Sequence, residues 1–238
     1  LYSLPIVETA QEFGFMQSAD AIVDYAQKLH NIGIESGIIV LSEGWSQLDG
    51  SLDFDRNYYP DPKAFVEKLH SLGFKVMLSV TPYRTASGRG YVEAMRQGTL
   101  LREISGAPVF VSGEMGFFAV ADVTKAECRQ DIEHKLQRLT TEYGIDGFRF
   151  DCEHLSRTLA GRTALERPFL DAWYSLGSNY ALAEYVPGAA TLQRYAPARI
   201  ATSSEVPYAY INDMLTAGLM GVSSAYADVP KIDLAQAD

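Results

Sequence analysis

Apolar residues recur at helical spacing in three stretches, and each stretch is followed by a short, nearly continuous apolar run. Ser18 can cap a helix with Ile22, Tyr25, Ala26 and Leu29 on one face, closed by Gly33. Asp61 before Pro62 opens a second helix, with Phe65, Val66 and Leu69 apolar and Gly73 at its end. Thr124 with Glu127 reads as a capping box for a third, with Ile132, Leu136, Leu139 and Tyr143 on one stripe and Gly144 closing it. The runs that follow, 37–41, 74–80 and 147–150, have the continuous apolar character of parallel strands covered on both faces.

Helix, glycine and strand in repetition make the βα unit of a parallel sheet. An earlier strand fits 4–9, and later ones fit 180–186, 198–203 and 221–226. Seven strands in one chain of 238 residues predict an α/β fold, a (β/α)8 TIM-type barrel truncated before its eighth βα unit. The chain reads as a single domain, 1–238. The stretch 85–120 is too long for a connection and is expected to be an insertion over the barrel mouth. A doubly wound sheet is the runner-up fold, weakened because no Gly-rich phosphate loop follows the first strand.

Composition narrows the partners. A net charge of -10 argues against nucleic acid, since phosphate binding needs a basic surface. No apolar run approaches a membrane span. The two cysteines, Cys128 and Cys152, form no disulfide framework or metal motif, so free thiols and no cofactor are expected. The start, Leu1-Tyr2-Ser3, has neither an initiator Met nor a signal sequence, so the compartment is not legible. An open barrel edge would be covered by flanking domains or a second copy of the chain.

The predicted carboxyl ends of the strands are polar: Ser42-Glu43, Thr81-Pro82-Tyr83, Asp151-Cys152-Glu153-His154, Ser203-Ser204-Glu205 and Asp228. Barrel enzymes build their sites on this rim.

Five stretches resemble glycoside hydrolase family 31, of the α-galactosidase clan. Phe54-Asp55 with Tyr59-Pro60-Asp61-Pro62-Lys63 resembles that family's "FD…FPDPK", and Leu69 to Pro82 resembles "LH..GFKV.LWV.P". Asp122-Val123-Thr124 resembles "DFTNP", Tyr143 to Asp151 resembles "YGIDGFKFD", and Gly218-Leu219 through Asp228 resembles "GL.G…..D". Order and spacing hold from about Pro5 to Asp228, and the flavour is that of the myogenesis-regulating-glycosidase-like branch. The resemblance implies a retaining α-glycosidase acting on a carbohydrate without a metal, with Asp151 as nucleophile. Such an enzyme needs a second carboxylic acid to protonate the leaving oxygen, and the two environments must push the pKa values apart.

The departures bear on activity. Where the family's "R.GD" motif carries the acid/base, this chain has Arg199-Ile200-Ala201-Thr202, and Thr cannot donate as a carboxylic acid can. Glu205, three residues on, is the candidate replacement. Strand 2 keeps one acid, Glu43, before Trp45, and the expected tryptophans of strands 1 and 3 are Val7, Ala10 and Ser79. Substrate contacts are assigned to Glu43, Trp45, Arg149, Arg199 and Asp228. Arg149 either pairs with Asp151 or lines the barrel interior, and if buried it needs a partner. Asp146 precedes its strand and reads as structural, as does Asp61 as a helix cap. Tyr58 and Tyr59 read as packing. Two functions stay open: a retaining hydrolase of α-linked hexosides, gluco- or galacto-configured, and a degenerate barrel that binds carbohydrate or a protein without turnover.

Overall fold

The computed structural model describes residues 5–14, 17–47, 50–86, 89–113, 116–151, 163, 166–180 and 182–186. The predicted strands 198–203 and 221–226, with Arg199, Thr202, Glu205 and Asp228, lie outside the described residues.

Five parallel strands form the main sheet: β1 (Ile6–Glu8), β2 (Gly37–Leu41), β3 (Phe74–Val80), β7 (Gly147–Asp151) and β8 (Leu182–Val186), paired in that order. The order runs one way along the sequence and never reverses, as in a singly wound barrel and unlike a doubly wound sheet. Helices α2 (Ala19–Asn31), α3 (Pro62–Ser71) and α5 (Ala126–Tyr143) connect the strands. A short α1 (Thr9–Phe13) follows β1, and α6 (Glu166–Ser175) with the 3-10 turn Leu176–Asn179 precedes β8. No described helix is long and apolar enough to cross a membrane.

Local chemistry sets these boundaries. Ser18 and Asp61 cap α2 and α3 by accepting from the backbone N–H groups of Ala21 and Ala64. Gly144 closes α5 in the left-handed region, φ 77°, where a side chain would be strained. The predicted capping box of α5 is absent. Asp122 Oδ1 takes the Thr124 hydroxyl at 2.5 Å and the Thr124 N–H at 3.2 Å, and the helix begins after Lys125 without a side-chain cap. The first strand is also shorter than expected, because Thr9 opens α1. Its hydroxyl donates to the Val40 carbonyl and accepts from the Ser42 N–H, tying the end of β1 to β2.

Strand alternation divides the sheet. Ile39, Leu41, Val76, Leu78, Val80, Phe148 and Phe150 pack under the helices in one large core. The opposite face holds a small apolar cluster of Ile38, Val40, Met77 and Leu182 with Ile6 against it. At Gly147 β7 passes β8 with no room for a side chain, for a Cβ there would lie 2.2 Å from the Leu182 carbonyl oxygen.

The stretch predicted as an insertion carries structure of its own. An antiparallel sheet, ordered β4 (Tyr83–Thr85), β6 (Gly116–Val120), β5 (Phe110–Gly113), follows the carboxyl end of β3 together with α4 (Arg89–Gln97). Val109, Val111, Phe118 and Val120 join the same core as β2, β3 and β7, so the insertion is packed down rather than appended.

Candidate active site at the carboxyl ends of the strands

Asp151 is the last residue of β7, half-buried, and in register with Val186 of β8. β7 lies between β3 and β8, inside the sheet. Because Phe148 and Phe150 point into the helix-covered core, Gly147, Arg149 and Asp151 share the other face. In a barrel that face is the interior, so the carboxylate stands where barrel chemistry is done.

Directly before it on that face, Arg149 is buried, and its Nη1 contacts Glu8 Oε1 at 2.7 Å. Glu8 ends β1, and its Oε1 also accepts from the Ser42 hydroxyl at 3.1 Å. The Ser42 oxygen in turn accepts from the Ala10 N–H at 3.2 Å. Arg149 is therefore held from across the sheet, over β2 and β3. The hydrogen-bond register puts Glu8 level with Val40, Met77 and Gly147, yet its partner is two residues further on. Tilted barrel strands produce that stagger.

Glu43 is half-buried in the turn that follows β2, at the same end of the sheet. Thr81, just past β3, is buried, and its hydroxyl has no hydrogen-bond partner among the described residues. Trp45 does not share this environment. It is 1% exposed, its indole N–H donates to the Ser79 carbonyl at 2.7 Å, and its ring meets Phe54 edge-on at 5.2 Å. The expected sugar contact at Trp45 is thus a core residue. Tyr59 is fully buried, and burial pushes its phenol up, so it stays neutral. Cys128 is a free thiol raised by burial, which makes it a poor nucleophile.

Sequence reasoning placed Asp151 at this rim and left Arg149 with a choice of partners; it missed Glu8. The signal was available: one acid ends the apolar strand Ile6-Val7-Glu8, and a buried Arg requires a counter-charge. Asp146, read as structural, is so. Its Oδ2 accepts from the Val76 N–H and meets His70 Nε2, each at 2.8 Å, at the amino end of the sheet. Among the described residues no His, Cys, Asp and Glu cluster could hold a metal ion.

The sequence profile of the glycosyl hydrolases family 31 TIM-barrel domain matches residues 9–186. The myogenesis-regulating glycosidase of Mus musculus is 26% identical over 153 residues, 64% of this chain and 21% of that protein. An uncharacterized family 31 glucosidase of Pseudescherichia vulneris is 28% identical over 132 residues, 55% of this chain and 24% of that one. The chain therefore spans under a quarter of the length of these relatives. Among solved structures, the family 31 dextranase of Flavobacterium johnsoniae complexed with glucose superposes with a TM-score of 0.59 at 20% identity, covering 73% of this chain and 23% of that one. A family 31 α-xylosidase from a soil metagenome complexed with xylose gives 0.56 at 20% identity, covering 76% and 28%. On the profile match across most of its length, this chain belongs to glycosyl hydrolases family 31 and carries the family's TIM-barrel domain.

Proposed function

We propose that the chain is the barrel of a retaining α-glycoside hydrolase for α-linked hexosides, gluco- or galacto-configured, with Asp151 as nucleophile. The placement of Asp151 carries the reading: a half-buried carboxylate ending an inner strand, on the face away from the helices. A carboxylate oxygen would attack the anomeric carbon as the glycosidic C–O bond breaks, and a carboxylic acid would give its proton to the departing oxygen. That acid, now a base, would take a proton from water, whose oxygen attacks the anomeric carbon and frees Asp151. Retention needs the two carboxyl groups about 5–5.5 Å apart. Glu205 is proposed as the acid/base. Glu43, Arg199 and Asp228 are proposed as sugar contacts, and Arg149 as the charged group on the interior face beside the nucleophile.

Nitrophenyl α-hexosides test this, because a good leaving group needs little protonation. Asp151→Ala should abolish their cleavage. Glu205→Gln should spare the first step on them, slow natural glycosides severely, and respond to external azide. Since one relative in structure is named a xylosidase, α-xylosides belong in the panel. A second reading, a barrel that binds carbohydrate or protein without turnover, is favoured by Thr202 at the family's acid position. Wild type that cleaves neither activated nor natural glycosides would decide for it.

A further inference from the structure

We propose that Thr81 is a further substrate contact, its hydroxyl paired in the complex with a hydroxyl of the sugar bound at Asp151. Thr81 is 5% exposed, and its hydroxyl has no hydrogen-bond partner among the described residues. A buried hydroxyl without a partner costs stability, and its retention in a native fold points to a partner from outside the chain. Fold-building hydroxyls at the same rim do find protein partners. That of Thr9 is engaged by the Val40 carbonyl and the Ser42 N–H, and that of Ser42 by Glu8.

The place of Thr81 in the sheet indicates the partner. Along β3, Val76, Leu78 and Val80 enter the helix-covered core, while Met77 joins the small cluster on the opposite face. Pro82 holds the residue before it in the extended region, so the alternation runs one residue past the strand and puts Thr81 on the face of Met77. Val80 and Phe150 are in register, and Thr81 and Asp151 are the next residues of these two hydrogen-bonded strands. Neighbouring strands lie about 4.8 Å apart. Thr81 therefore forms the wall next to Asp151, on the interior face. A sugar seated there offers hydroxyls in several directions, each able to donate and accept, and a threonine hydroxyl does both. One staggered step about χ1 exchanges the positions of hydroxyl and methyl, so the group can turn toward the sugar.

The inference rests on the reading of Asp151 as nucleophile, and its test uses binding so that the two fail separately. In the intact protein carrying Asp151→Asn, affinities for methyl α-glucoside, methyl α-galactoside and methyl α-xyloside are measured by isothermal titration calorimetry. Adding Thr81→Val keeps the side chain's shape and removes the hydroxyl. It should weaken the tightest of these sugars about tenfold, with the thermal midpoint held or raised, because no protein hydrogen bond is lost. Thr81→Ser keeps a hydroxyl and should bind within about threefold of the parent. Deoxy derivatives of the same glycoside then locate the partner: on one of them the parent and Thr81→Val should bind equally. Should Thr81→Val not fold, Thr81→Ala, smaller than the residue it replaces, takes its place in the same comparison. Unchanged affinity in Thr81→Val, a gap that persists on every deoxy derivative, or a parent that binds none of these sugars overturns the proposal. Binding that depends on Thr81 in a protein whose wild type cleaves no glycoside counts against the proposed hydrolase and leaves the contact standing.

Discussion

Two aspartates flank β7, and their surroundings differ. Asp146 enters the strand at the amino end, where its carboxylate joins the Val76 N–H to His70 of α3 and so ties β3, β7 and a helix together. Asp151 leaves the strand at the carboxyl end, half-buried, one interior position beyond the Glu8–Arg149 pair. Backbone and helix claim the first; the second follows, on the same face of β7, an arginine whose ion pair reaches across the sheet to β1. The contrast fits the division of labour general to parallel barrels, in which the amino ends of the strands serve assembly and the carboxyl ends carry the sites.

The largest effect that would sharpen this comparison is in activity. Asp151→Asn should reduce glycoside cleavage by several orders of magnitude with the thermal midpoint nearly unchanged, since Asn matches Asp in size and keeps an acceptor oxygen. Activity and differential scanning fluorimetry on the same preparation check it. A large loss of stability would make Asp151 a structural residue like Asp146 and erase the contrast.

Next comes a change between the two ends. Gly147→Ala would set a methyl group 2.2 Å from the Leu182 carbonyl oxygen and 2.3 Å from its Cβ. Backbone must move, so β7 and β8 should separate at a cost of about 3 kcal/mol or more, measured by urea unfolding. An unchanged midpoint would mean that the closeness of β7 and β8 at Gly147 is not required.

The assembly end was legible in the sequence because its signals are local. Ser18, Asp61 and Gly144 cap or close helices through contacts within a few residues, so β2 and β3 were placed to the residue and β7 one residue short. The insertion showed only as excess length, because its antiparallel pairing is fixed by partners such as Thr85 and Phe118, far apart in the chain. Thr124 misled because Asp122, just before it, competes for its hydroxyl. Most of the site was less legible for a physical reason. Arg149 and Glu8 are 141 residues apart in the chain, and no local rule links them. Trp45 looked like a sugar platform by residue type, yet the Ser79 carbonyl and Phe54 take it into the core.

Trp45 is thus a smaller, third test. Trp45→Phe removes the indole N–H, leaves the Ser79 carbonyl without that donor, and opens a gap beside Phe54 in a string that continues through Tyr59 to Phe65. The loss should be about 2 kcal/mol of stability, with KM for a hexoside unchanged. A raised KM at unchanged stability would return Trp45 to the substrate site.

The smallest effect probes the amino end itself. Asp146→Asn keeps an oxygen that can accept from the Val76 N–H, so the link between β3 and β7 survives in neutral form. What is lost is the charge on the pair with His70, whose side chain is 37% exposed against 25% for Asp146. At that exposure, solvent screens most of the Coulomb energy, and the cost should be only about 0.5–1 kcal/mol. The turnover of the folded fraction should not change, because Asp146 and Asp151 stand at opposite ends of β7 with apolar Phe148 and Phe150 between them. Asp146→Ala, which removes the acceptor as well, should cost about 1–3 kcal/mol by stranding the Val76 N–H. The gap between the two variants isolates the hydrogen bond from the charge. If both cost the same, the charge dominates, and the amino end would depend on its ion pair with His70 more than on the hydrogen bond to Val76.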